Sequence, residues 1–203
     1  MLAAILRVAA VFLCLTVHET CHGLAAYALG DPTAKREHRL SLNPLHHIDW
    51  FGFAAMLLVG FGWAKPVPVD MRYFKKPKQG MALTALAGPV SNFVLAVLMM
   101  TVARGIYFYA PYTAFWETVL TFVLTVACLS IGLGLFNLLP ISPLDGSKVL
   151  FAFLPDAAYM KLMRYEKYGM LVLLALVWLG VGDGILGEAS YRVYAAMINF
   201  FLH

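Results

Sequence analysis

The sequence predicts an all-α polytopic membrane protein: a bundle of about four to six transmembrane helices with a small membrane-associated β-sheet or hairpin region at about residues 34–70. Three observations predict it. Hydrophobic residues make up 62% of the 203 and charged residues 13%, against roughly 45–50% and 25% in soluble domains. A soluble fold of this length could not hide that much apolar surface. The apolar residues also fall in runs near the ~20 residues that cross ~30 Å of hydrocarbon. Finally, proline-containing segments that interleave polar and apolar residues lie after the first run. The length suits one domain, residues 1–203, with a core to about residue 150 and C-terminal helices over about 150–203.

Residues 2–29 read as the first span, interrupted only by Arg7 and the group from His18 to His22. This stretch could pass for a secretory leader, but it is too long for a leader's apolar region and carries the strongest chemical motif in the chain. Residues 34–50 and 64–80 contain Pro44, Pro66, Pro68 and Pro77. Their HRLSLN and PVPVD stretches have extended character and predict short strands or hairpins. Backbone of that kind at membrane depth must be buried in protein or line a cavity. Between them, residues 51–63 are apolar but short and include Gly52, Gly60 and Gly62, which predicts a short, tilted or re-entrant segment. Residues 81–103, 114–139 and 169–187 read as three more spans, and residues 190–203 as a final short helix at the interface.

The net charge of +4 reads as membrane topology and not as nucleic-acid binding, since no basic run or nucleic-acid signature is present. With residues 34–80 and 140–168 on the cytoplasmic side, twelve of the fifteen Lys and Arg residues share that side. The exceptions are Arg7, Arg104 and Arg192. This bias places the N-terminus outside and runs the first helix inward. The basic stretch from Arg72 to Lys78 reads as a solvated loop that touches anionic headgroups. Cys14, Cys21 and Cys128 are odd in number and form no CxxC, which argues against a disulfide framework.

The motif that carries chemistry is His18-Glu19-Thr20-Cys21-His22. Positions i and i+4 of a helix share a face, so both imidazoles can reach one ion. Glu19 sits beside that ion, placed to take a proton from its water and return it to a leaving amine. HExxH also occurs by chance, but ionisable side chains within a membrane helix are costly and usually functional. Two histidines leave a catalytic zinc one protein ligand short. Asp145 is the best candidate for the third: Pro140 and Pro143 break the preceding helix and Gly146 lets the chain turn. Taken alone, Asp145 could equally be a helix-end aspartate in water. Asn92, in the run Gly88-Pro89-Val90-Ser91-Asn92, is a polar amide inside an apolar span. It could bind the substrate backbone or a developing oxyanion, or form an interhelical hydrogen bond that only holds the bundle together.

With HExxH, GPxSN and NLLPxxPLDG in that order, the chain resembles the site-2 protease family of intramembrane zinc metalloproteases. Gly30-Asp31-Pro32, Leu42-Asn43-Pro44-Leu45-His46-His47-Ile48-Asp49 and Gly62-Trp63-Ala64-Lys65-Pro66-Val67-Pro68-Val69 fit as well. The resemblance covers residues 15–150. It implies one Zn2+ per chain held by His18, His22 and Asp145, Glu19 as the catalytic glutamate, and Asn92 beside the metal. It also implies a single transmembrane metalloprotease domain. The substrates it implies are transmembrane proteins such as anti-sigma factors, or remnant signal peptides, and their cleavage is regulated intramembrane proteolysis. Many members carry a PDZ or CBS domain; no stretch of these 203 residues is long enough for either, so the likeness is to the compact form.

A substrate helix would enter from the bilayer, unwind, and pair as an extended strand with the 34–70 region. His46 and His47, next to Asp49, could hold a second metal or compete as ligands; ordering a loop near the site, or facing water, is the plainer role. His38 and His203 read as surface residues. A membrane metal transporter would also use His and Asp in helices, but it needs several ligand layers and no Glu19. A catalytically inactive client-binding relative would lack a ligand or the glutamate, and all four are present.

Overall fold

The structure is a computed structural model that describes residues 1–59, 62–180 and 183–202. The first helix, α1 (Leu2–Ala28), contains no proline and ends where Gly30 takes a positive φ of 107°. The Asp31 N–H closes the turn on the Ala26 carbonyl at 2.9 Å, and Pro32 cannot continue the helix. A one-turn helix, α2 (Thr33–Arg36), a 3₁₀ turn (Pro44–His46) and α3 (Trp50–Val59) follow. A second 3₁₀ turn (Met71–Tyr73) leads into α4 (Pro77–Tyr109). Pro77 stands in its first turn, where a missing N–H costs nothing. Helix α5 (Ala114–Asn137) starts on a Thr113 cap that accepts the Trp116 N–H at 3.4 Å. Then come α6 (Asp145–Phe151), α7 (Asp156–Trp178) and α8 (Asp183–Leu202).

Helix α4 is the centre of the bundle. It packs against α1, α5 and α6, and α8 lies along α5 and α4. Small side chains let the helices approach: Ala10, Ala26, Ala85, Ala96, Ala103 and Ala127 are all buried, as expected where lipid removes most of the hydrophobic drive for association. Cys14 and Ser130 meet at 3.2 Å between α1 and α5. The outer face of α4 exposes Val90, Val94, Val97, Leu98 and Val102, an apolar stripe suited to lipid.

Two expectations of the fold are overturned. Among the described residues, three helices are long and apolar enough to cross a membrane, not four to six: α1, α4 and α5. The expected span over 169–187 fails because the apolar part of α7 is only Tyr168–Trp178, about 17 Å of helix at 1.5 Å per residue. Of the segment 51–63, the described helical part is residues 51–59, which belong to the ten-residue α3. The second correction concerns residues 34–70, which form no β-sheet. Their sole ladder feature among the described residues is an isolated antiparallel bridge between Ile48 and Ala64. The stretch 66–70 is irregular, and its backbone donors are diverted. Pro66 and Pro68 have no N–H to give, and the Val67 and Asp70 N–H groups donate to the Glu19 and Asp31 carboxylates. The expected interfacial helix over 190–203 lies within α8. Gly60 and His203 lie outside the described residues.

Candidate metal centre

His18 and His22 lie one turn apart on the inner face of α1, and Asp145 is the first residue of α6. All three are buried. Their ligand atoms converge. His18 Nε2 stands 3.0 Å from His22 Nε2, and each is 3.2 Å from Asp145 Oδ2. Two imidazoles and a carboxylate are a donor set that suits zinc. With zinc–ligand distances of ~2.0–2.1 Å, the edge of a tetrahedron is about 3.3 Å, so the spacing fits one ion on three corners. Burial by itself would push the Asp145 carboxyl up. The two rings beside its Oδ2 outweigh it and hold the group well below the usual carboxylate range.

Two contacts on α4 fix the rings. The His22 Nδ1–H donates to the Thr84 carbonyl at 2.7 Å. The Asn92 amide lies 3.0 Å from His18 Nδ1 and is fully buried. Between them is Gly88. A Cβ there would stand 2.4 Å from His22 Nε2 and 2.7 Å from His18 Cε1, so the rings occupy the space a side chain would take. Asp145 depends on a second glycine: a Cβ on Gly146 would come within 2.1 Å of the Leu138 carbonyl oxygen.

Glu19 is half-buried. Its Oε2 accepts the Val67 N–H at 3.0 Å, which turns the carboxylate toward the irregular 66–70 segment. That segment is fastened at both ends. The Arg39 guanidinium donates to the Lys65 and Pro66 carbonyls at 2.7 and 3.1 Å. The buried Asp31 carboxylate accepts the Asp70 N–H at 2.7 Å. A pocket of about 390 Å³ contains His18, Glu19, His22 and Asp145 together with Asn137, Met163 and Glu166. Lys148 and Glu166, 3.7 Å apart, form an ion pair on its wall.

The structure therefore brings His18, His22 and Asp145 together, with Glu19 on the same pocket and Asn92 behind His18. His46 is exposed. His47 is buried, with its Nε2 2.8 Å from the Ser41 carbonyl, and neither belongs to a metal-ligand cluster among the described residues. The sequence reading gave no role to Thr84, Val67, Asp31 or Arg39. Thr84 and Val67 act through backbone atoms, which leave no side-chain signal. Asp31 enters the sequence reading only within Gly30-Asp31-Pro32, with no partner assigned to its carboxylate. The three cysteines are free.

Residues 104–180 match peptidase family M50. The chain is 40% identical over 173 residues to YwhC of Bacillus subtilis (strain 168), described as a candidate zinc metalloprotease, with 84% of this chain and 79% of that protein covered. It is 28% identical over 179 residues to Rip2 of Mycolicibacterium smegmatis, described in the same terms, with 85% of this chain and 66% of that protein covered. No solved structure matches the chain.

Proposed function

Because the chain belongs to peptidase family M50, we propose that it is a zinc-dependent endopeptidase that cuts peptide bonds within or next to transmembrane segments of other membrane proteins. The observation that carries this reading is the convergence of His18, His22 and Asp145 on one point, beside Glu19, inside a bundle with three bilayer-length helices. Anti-sigma factors and remnant signal peptides are the substrate classes this reading favours. Residues 1–203 act as one domain; the segment that matches the family runs across residue 150, which supports treating the C-terminal helices as part of it.

When bound, zinc, one ion per chain, would supply a Lewis acid for the scissile carbonyl and would lower the pKa of its water toward ~7. His18, His22 and Asp145 would hold that ion. Glu19 takes the proton of the attacking water and delivers it to the leaving amide nitrogen. The Val67 N–H holds one Glu19 oxygen and leaves the other to move the proton. The substrate must reach the pocket as an extended chain, since helical hydrogen bonds would shield its carbonyls.

The test uses detergent-purified protein and a tagged model substrate with one transmembrane segment. The native protein is expected to carry about one zinc per chain and to cut it. His22→Ala and Asp145→Ala should lose the metal. Glu19→Gln should keep the metal and slow cleavage by about 10²–10⁴-fold. Full-rate cleavage by Glu19→Gln would sink the mechanism, and a well-folded native protein that takes up no zinc would sink the function.

A further inference from the structure

Thr84, Gly88 and Asn92 are spaced at i, i+4 and i+8 on α4, so they form one column on the face turned toward the two histidines. Thr84 offers a carbonyl to His22 Nδ1 at 2.7 Å, Gly88 offers empty space, and Asn92 offers an amide to His18 Nδ1 at 3.0 Å. A carbonyl can only accept, so His22 carries its proton on Nδ1 and points a bare Nε2 at the centre. His18 Nε2 faces the same centre.

We propose that Asn92 is a positioning residue for His18, its amide oxygen accepting the ring's Nδ1–H and so fixing the tautomer that presents a bare Nε2 to the metal. The inference rests on the metal reading above. Its logic is short. A ring that ligates through Nε2 holds its proton on Nδ1, and the atom facing Nδ1 must then accept it. An amide has an acceptor end and a donor end, exchanged by a half-turn. As placed, the nitrogen faces the ring, and Oδ1, at the other end, is buried with no hydrogen-bond partner. No competing hydrogen bond at that end fixes the amide, so the proton on the ring decides its orientation. Asn92 is 0% exposed, so its reach is to the ligand and not to open pocket.

The experiment is zinc affinity, measured by chelator competition on detergent-purified native protein, Asn92→Asp and Asn92→Leu, with melting temperature alongside. Aspartate can accept but not donate; leucine can do neither. Asn92→Asp should bind zinc close to the native affinity, and Asn92→Leu should bind about 10–100-fold more weakly. Native affinity in Asn92→Leu with cleavage lost would assign Asn92 to the substrate or oxyanion and overturn the proposal. So would about tenfold weaker binding in Asn92→Asp, which would mean that the amide donates. Should the leucine variant fail to fold, the aspartate variant decides by itself. If the native protein binds no zinc, the metal reading fails and the proposal with it. If it binds zinc and both variants match it, the proposal alone fails.

Discussion

At Gly88 a single methyl group is too much. A Cβ would stand 2.4 Å from His22 Nε2, 2.5 Å from His22 Cε1 and 2.7 Å from His18 Cε1, and both rings are tethered, at Thr84 and Asn92. Alanine is otherwise the better helix former by about 0.8–1.0 kcal/mol. Gly88→Ala should therefore keep its helical circular dichroism and weaken zinc binding by at least about tenfold. Native zinc affinity in that variant would show that the rings can step aside. The sequence made the ligand spacing legible, because His18 and His22 are local to one helix. It also set Gly88 at the head of the run that holds Asn92. It did not show what packs there, since the contact joins residues far apart in the chain.

At the scale of elements, the segment from Ala64 to Asp70 is where sequence and structure part. Alternation of apolar residues with prolines suggested a strand, but a strand requires donors free to pair, and here they serve the site. The Val67 N–H holds Glu19 and the Asp70 N–H holds Asp31. Asp31 is fully buried and also accepts the Thr33 N–H at 2.9 Å. Removing it leaves two backbone donors without a partner, at about 1–3 kcal/mol each for a buried group. Asp31→Ala should therefore lower the melting temperature and slow cleavage while zinc stays bound, because no metal ligand is touched. Loss of zinc in this variant would show that the segment shapes the metal centre as well as its mouth. The long spans were legible for the opposite reason: α1, α4 and α5 follow from runs of apolar residues, which need no partner to be read. The end of α7 was misjudged because its apolar run continues in sequence past Trp178 while the helix does not; Leu179 and Gly180, the latter with a φ of 65°, close it.

For the whole molecule the open question is which way the bundle faces. Of the three spans, only α4 and α5 are joined by a short connection, Ala110 to Thr113, so these two run antiparallel, and the ends of α1, α4 and α5 alternate across the bilayer. Residues 29–76 and 138–168 then share a side, and that side holds the end of α1 with His22, the start of α4 with Thr84, and Asp145. It also holds the twelve Lys and Arg residues counted above, and positive charge stays cytoplasmic. The pocket should open to the cytoplasm, with Tyr112 outside. The check is thiol labelling in intact cells with a reagent that cannot cross membranes. The background replaces Cys14, Cys21 and Cys128 by serine, so that only the introduced thiol can react. Tyr112 is 96% exposed, and Tyr112→Cys should label in intact cells, whereas Lys75→Cys should label only after permeabilisation. The reverse pattern would turn the protease over. Its water, its proton traffic and its released products would then belong to the outer side, and the charge bias would need another cause, such as the anionic surface that Arg72 to Lys78 could meet.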